Sequence, residues 1–540
     1  MASPLLAVAL DAADIDRVRA WAAQGHLPTL AGILARGTCF TLDGPPLYRN
    51  EVPWVSLLTG CDPERTGFWT PLRFRPGGYA VADDGGYSYA ACAPFYAMAP
   101  GRRVTVFDLP HCGRLFTGVE GAQVLGWGAH SPMGGLQSRP VGLAGALRRR
   151  FGAHPAMRMQ NRGSWWDGQR LARLHAALLA GVRRRGAILR ALLVERPADL
   201  HVFAFGETHI AGHHFWHLSD GGHPAHGRNV PPLPDLLLDV YRAVDRELGL
   251  LLEQAPAGAR LLVFSPEGGA ANWCDLNSLL FLPEFLFRWS FPGLSLQAEG
   301  GAAAGPAVVP AGNDWVRAVW RDRFSCLPPP WLPPPLRSWF RGLGGRPGLG
   351  FPAYVLRRLG PLQWQPPSWY RPWWPRMKAF ALPSYGDGYV RVNLRGREPR
   401  GIVAPGDFDA LCRDLEARLL RLRDPRDGRR LVRAVVRTGE ALARLSAELR
   451  PEADLVVLWE QRANDAAEDP GTGHLAPAPF WKSGSHRPLG FLIGLGPGLL
   501  PERRAAGRAR VIDVAPTVLE LLGVPRPPHL EGAPLFRSAG

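Results

Sequence analysis

The sequence predicts a doubly wound α/β fold: a mostly parallel sheet with helices on both faces. Three observations lead there. Short continuous apolar runs recur along the chain, the mark of strands buried on both sides. Long amphipathic stretches with helical spacing separate several of them. Polar residues stand directly after the apolar runs, where such sheets gather their ligands.

Leu5–Leu10 is the first run and reads as a central parallel strand. Asp14 can cap the helical pattern that continues to about Leu34. Thr38–Leu42 reads as a second strand, and a polar loop containing proline leads to a helical segment, Glu51–Thr59, closed by Gly60. Further strand-like runs are Val104–Phe107, Val124–Trp127, Leu200–Phe205, Leu261–Phe264, Leu455–Trp459 and Leu489–Leu495. The helical patterns between them are Leu171–Val194, Leu236–Leu252, Phe408–Leu422 and Ile512–Leu522.

One stretch departs from this alternation. Residues 281–375 are rich in Pro, Gly and Trp and carry Trp289, Trp315, Trp320, Trp331, Trp339, Trp364, Trp369, Trp373 and Trp374. Pro328–Pro330 and Pro333–Pro335 forbid regular helix there. The division that follows is an α/β core in residues 1–280, an insertion or lid in 281–375, and a second part of the core in 376–540.

Composition narrows the class. A hydrophobic fraction of 46% supports a sizeable core. No apolar run approaches the roughly 18 residues that span a bilayer. The net charge of +16 is almost wholly arginine, because Lys378 and Lys482 are the only lysines. The arginines are dispersed, without the basic stripe and interleaved aromatics of a nucleic-acid binder. Clusters such as Arg148–Arg150 and Arg183–Arg185 read as solvated helix faces. Seven scattered cysteines without a C-x-x-C suggest a reducing, cytoplasmic setting.

The candidate chemistry lies after the runs. Asp11, Asp108, Glu207, His209 and Glu267 each follow one, and His486 lies in a loop before another. His209, His213, His214, His217, His223 and His226 crowd one short segment. His209 and His213 would share a helix face, which suits a divalent metal. His213 and His217 repeat that spacing, so the helical register stays open at this point.

Motif order adds a resemblance. The segments LLAVALDAADIDRVRAWAAQGHLPTLAGILARG, PWVSLLTGCDPERTGFW, ETHIAGHHFWH, VRVNLRGREPRGIV, GSHRPLGFLIGLGPGL and VIDVAPTVLELLGVPRPPHLEGAPLF occur in that order. Together they resemble the alkaline phosphatase superfamily, in particular its type I phosphodiesterase/nucleotide pyrophosphatase-like branch. The resemblance implies an alkaline-phosphatase-like fold and a metal site hydrolysing phosphoric esters. It carries Asp11, His213 and His486 onto metal-ligand positions, with His209 where the family has an aspartate. The family's Asp-His pair falls on Pro266 and Glu267, and only the glutamate can ligate. The family nucleophile falls on Asn50, which cannot form an alkoxide. Asn50 and Glu51 are also a good cap and first-turn residue for the helix that follows.

The expectation is therefore a metal-dependent hydrolase of phosphoric esters, phosphodiesterase-like, with a divergent site. Asn50, Glu51 and Glu207 are the expected catalytic residues; Asn50 and Arg487 are the expected substrate contacts. The expected ligands are Asp11, His209, His213, Glu267 and His486. They would hold one zinc ion tightly at the three histidines, and a second metal weakly or not at all at Asp11 and Glu267. Hydrolysis without a side-chain nucleophile would depend on attack by water. The alternative is a noncatalytic metal- or phosphate-binding relative.

Overall fold

The structure is a computed structural model. It describes residues 3–45, 47, 52–128, 135–157, 159, 164–297, 309, 314–316, 318–319, 365–475, 477–501 and 507–538. Asn50, Glu51, Trp320, Trp331, Trp339 and Trp364 lie outside the described residues, as does most of the Trp/Pro-rich segment.

A nine-stranded sheet forms the centre. Its strands are β1 (Leu5–Leu10), β2 (Thr38–Asp43), β3 (Arg103–Phe107), β4 (Glu120–Leu125), β5 (Gln137–Arg139), β6 (Leu200–Phe205), β7 (Arg260–Ser265), β8 (Leu489–Leu495) and β9 (Arg508–Arg510). Their spatial order is β9-β2-β8-β7-β1-β6-β3-β4-β5. Strands β7, β1, β6, β3 and β4 run parallel, as do β2 and β9. Strand β8 lies antiparallel to both β2 and β7, and β5 antiparallel to β4.

All six residues of β1 are buried, as a strand covered on both faces requires. Leu6, Val8 and Leu10 join a core with the helices α1 (Ile15–Ala23), α2 (Pro28–Arg36), α4 (Gly168–Glu195), α5 (Glu207–Ser219) and α6 (Leu236–Glu253). Leu5, Ala7 and Ala9 join the opposite core, against α3 (Val52–Thr59) and α7 (Val514–Leu521). The fold is thus the doubly wound, mostly parallel α/β architecture expected from the strand–helix alternation.

Asp14 caps α1, its carboxylate accepting from the Arg17 N–H at 2.9 Å. The predicted single helix to Leu34 is two helices. The chain breaks at Gly25, which adopts a positive φ of 79°, and restarts at Pro28. Leu455–Trp459 is a strand outside the central sheet. It belongs to a four-stranded antiparallel sheet with Ala379–Leu382, Gly388–Val392 and Val432–Arg437. Its neighbours in sequence pair with it directly, and no crossover helix returns it to the parallel sheet. This second sheet shares an apolar core with Trp369, Trp373, Trp374 and the helix Leu282–Ser290. Residue 281 therefore falls inside a continuous helical run, Asn277 to Ser290.

Candidate metal centre

Three sheet connections and one ribbon build the site. Asp11 follows β1, α5 follows β6 after a single residue, and Glu267 follows β7. Because β8 runs antiparallel to β7, the residues before β8 reach the end of the sheet where β7 finishes. There Gly484–Arg487 pairs with Gly268–Ala271, with His486 opposite Gly269.

Helix α5 opens with Glu207 in its first turn, so His209 and His213 stand one turn apart on one face. Nitrogen atoms of His209, His213 and His486 all lie within 4.8 Å of one another. The Nε2 atoms of His213 and His486 are 3.1 Å apart. Among the described residues this is the one group of three or more His, Cys, Asp or Glu side chains close enough to hold a metal ion.

One histidine is oriented by a hydrogen bond from behind, and the other two each have a carboxylate nearby. His213 Nδ1 lies 2.8 Å from the Gly484 carbonyl oxygen. A carbonyl only accepts, so Nδ1 carries the proton and Nε2 presents its lone pair to the other two rings. Asp11 Oδ2 is 3.6 Å from His209 Nδ1, and Glu267 Oε1 is 3.5 Å from His486 Nδ1. Carboxylates behind imidazoles orient metal-binding histidines. Asp11 is in turn held by Trp54, whose Nε1–H donates to Oδ1 at 2.8 Å. Burial keeps the His213 imidazole well below its usual range, reinforced by the charges of Lys482 and His486. A neutral imidazole is the ligating form.

The close approach needs small residues. A Cβ on Gly484 would come within 2.0 Å of the Gly212 carbonyl oxygen and 2.9 Å of Trp216 Cβ. The ribbon can rest on α5 only with glycine there.

His217 does not compete for the centre. Its Nδ1 is 2.8 Å from Ser483 Oγ and its Nε2 is 2.9 Å from Asn229 Oδ1. The register left open by the i, i+4 repeat is resolved for His209 and His213.

Two expected residues are placed elsewhere. Glu207 is fully buried between α5 and α4; both its oxygens accept from Arg185 Nε at 2.9 Å, and Oε1 lies 2.9 Å from His154 Nε2. Burial alone would raise this carboxyl, but Arg185 and His154 outweigh it and hold it at about 2. Arg185 also donates to Asp108 at 2.8 Å. The reading of Arg183–Arg185 as a solvated face is thus corrected at its last member, which is fully buried. Its place on the stripe Leu178, Val182, Arg185, Leu189 was the available signal. Arg487, one position past His486, turns its guanidinium to Asp14 and Asp16, each at 2.6 Å.

A doubly wound α/β protein with a three-histidine centre at the carboxyl edge of its sheet is the class that fold and site define. The chain is similar to the solved structure of phosphonoacetate hydrolase from Sinorhizobium meliloti 1021 in complex with phosphonoformate, at 14% identity and a TM-score of 0.47 over 97% of this chain and 95% of that one. It is also similar to human ectonucleotide pyrophosphatase / phosphodiesterase 5, at 12% identity and a TM-score of 0.46 over 99% and 100%. At these scores the similarity is one of outline. No protein-family model and no curated protein matches the chain.

Proposed function

We propose that the protein is a metal-dependent hydrolase of phosphoric esters, acting on small phosphorylated substrates and most readily on diesters. The observation that carries this reading is the convergence of His209, His213 and His486 within 4.8 Å, backed by Asp11 and Glu267 at 3.6 and 3.5 Å. Three neutral nitrogen donors suit zinc, and such a set leaves a position open to substrate. The His213–His486 separation of 3.1 Å is close to the about 3.3 Å expected between nitrogens 2.0–2.1 Å from a tetrahedral zinc. The donor set therefore fits one ion. Asp11 and Glu267 serve it best from behind the rings, so a second, weaker ion at those carboxylates is not needed.

When bound, the ion would supply Lewis acidity to a phosphoryl oxygen. The chain's own residues do the rest. Gly484 fixes the His213 tautomer. Asp11 and Glu267 orient His209 and His486. Glu207 is committed to Arg185 and Glu267 to the His486 ring, so neither stands free beside the open position. Asn50 contacts the phosphate through its amide, beside Glu51, and forms no covalent intermediate. The described cysteines are all free thiols, in keeping with a reducing, cytoplasmic setting. No described helix is long and apolar enough to cross a membrane.

Zinc content and hydrolysis of bis(p-nitrophenyl) phosphate, measured on the same preparation, test the proposal. About one zinc per chain and hydrolysis lost in His486→Ala are expected. Zinc without hydrolysis of any phosphoric ester would favour the noncatalytic binding protein, and absence of both would overturn the metal centre.

A further inference from the structure

Helix α5 carries one more histidine along the face that meets the ribbon. His217 stands one turn after His213 and is fully buried, and it belongs to no metal-binding group among the described residues. A buried ring that ligates nothing would be easier to replace with an apolar side chain, unless its two nitrogens are both used. They are.

The hydrogen bonds fix each proton. Asn229 Nδ2 donates to the Trp165 carbonyl oxygen, so Oδ1 is the atom turned to His217 Nε2, at 2.9 Å. An amide oxygen only accepts; Nε2 therefore holds the proton of the ring and Nδ1 is bare. The Ser483 hydroxyl, 2.8 Å from Nδ1, is then the donor. The chain of bonds closes on itself, because Trp165 donates its Nε1–H to the Phe480 carbonyl oxygen at 3.0 Å, three residues before Ser483. Trp165, His217, Asn229, Phe480 and Ser483 are all buried. A buried polar network with its members satisfied specifies one arrangement of the elements it joins.

What it joins is α5 and the ribbon that carries His486. Ser483 directly precedes Gly484, whose carbonyl oxygen lies 2.8 Å from His213 Nδ1. Two successive residues of the late segment are thus tied to two histidines one turn apart on the helix. Side chains alternate along a ribbon, so a slip of one residue would bring Ser485 or Arg487 to the place where His486 meets His213. Backbone carbonyls recur at every residue, and the bond to His213 could survive such a slip. The bond from Ser483 to His217 joins two side chains and could not.

We propose that His217 is a positioning residue of the metal centre: by accepting the Ser483 hydroxyl it holds the ribbon in the register that brings His486 to His213 and His209. The assignment rests on the metal-centre reading above and extends it to a histidine that touches no ion.

The test uses the full chain, stripped of metal and reloaded. Zinc affinity is measured by competition with a chromogenic chelator, and the visible spectrum of the cobalt(II)-loaded protein reports the coordination geometry. Wild type, Ser483→Ala, His217→Leu and the double variant are compared, with melting curves of each. Both single variants should bind zinc at least about tenfold more weakly although all three ligands remain, the scale seen when groups behind metal ligands are removed. Their cobalt bands should shift as well. The double variant should be no weaker than the weaker single one, because both substitutions remove the same contact. Losses that add in the double variant would overturn the assignment, as would a lower melting temperature with wild-type affinity and spectrum, since His217 would then serve the fold alone. If His217→Leu does not accumulate, Ser483→Ala decides, as it deletes a single oxygen: wild-type zinc affinity there would sink the proposal. A wild type that takes up neither zinc nor cobalt would overturn the metal centre itself, whereas a metal-binding wild type with indifferent variants would overturn only the role of His217.

Discussion

The Nε2 atoms of His213 and His486 face each other at 3.1 Å across 273 residues of sequence. The proton on His213 is fixed at Nδ1 by the Gly484 carbonyl oxygen. A carboxylate 3.5 Å from His486 Nδ1 favours the same tautomer there. Two lone pairs brought this close repel unless a cation or a proton stands between them, so the arrangement is primed for an ion.

Zinc uptake should therefore depend on the triad as a unit. His209→Ala combined with His486→Ala should leave the protein folded and free of zinc, whereas wild type should carry one tightly held ion. Metal analysis after dialysis against a weak chelator checks this. Two equally tight ions in wild type would contradict it.

Gly484→Ala should weaken zinc binding without touching a ligand. Its Cβ would press on the Gly212 carbonyl oxygen at 2.0 Å, so the ribbon must lift from α5 and carry His486 away from His213. A cost of about 1–3 kcal/mol in stability is expected from the overpacking. Zinc competition and thermal melting measured together would detect both effects.

Arg185→Met should be among the most destabilising single changes. It leaves Asp108 and Glu207 buried without their cation, a loss of about 3–5 kcal/mol. A fall in melting temperature, or failure to accumulate soluble protein, is the expected result. A melting curve like that of wild type would show that the buried network contributes little.

Acid should weaken the fold from about pH 6.5 downward. Burial lowers His201 and His223 to about 4 and His217 to about 3, from an ordinary value of 6.5. The folded state thus holds these rings neutral, while the unfolded chain protonates them below 6.5. Their stabilising contribution is present above 6.5 and is lost as pH falls toward 4 and 3. His201 Nδ1 has no hydrogen-bond partner among the described residues, so His201→Leu should flatten this limb at little cost near pH 8. Denaturant midpoints at pH 8, 6 and 4.5 would measure it.

Asn50→Ala should reduce hydrolysis only modestly, through loss of the proposed phosphate contact. Attack by water predicts inversion at a chiral phosphorus. Net retention would mean that another side chain attacks first.

The sequence made the local elements readable because each strand announces itself as a buried apolar run and each helix by its spacing. Asp11, His209, Glu267 and His486 could be picked out because they stand where runs end or begin, and His213 because it lies one helical turn after His209. What stayed hidden depends on partners far away in the chain. Nothing in Leu489–Leu495 says that it enters the sheet antiparallel, and nothing in Glu207 says that Arg185 will reach it from a neighbouring helix. Trp54 marked a position in a motif, but its bond to Asp11 follows only once α3 packs beneath β1. Likewise Leu455–Trp459 has the composition of a central strand, and only its pairing reveals a different sheet.

The position of β8 has a consequence for how the chain comes off the ribosome. Among the described strands β2 pairs only with β8 and β9, both supplied from residue 489 onward. A growing chain must therefore carry β2 unpaired, with the flank of β7 uncovered, through most of its synthesis. Open strand edges of this kind invite wrong pairing, which makes the interval a natural one for chaperone engagement. His486 emerges in the same late stretch that closes the gap. A nascent chain halted before Gly484 would have neither a sealed sheet nor a complete histidine centre, so metal occupancy would report that translation ran through the closing strand.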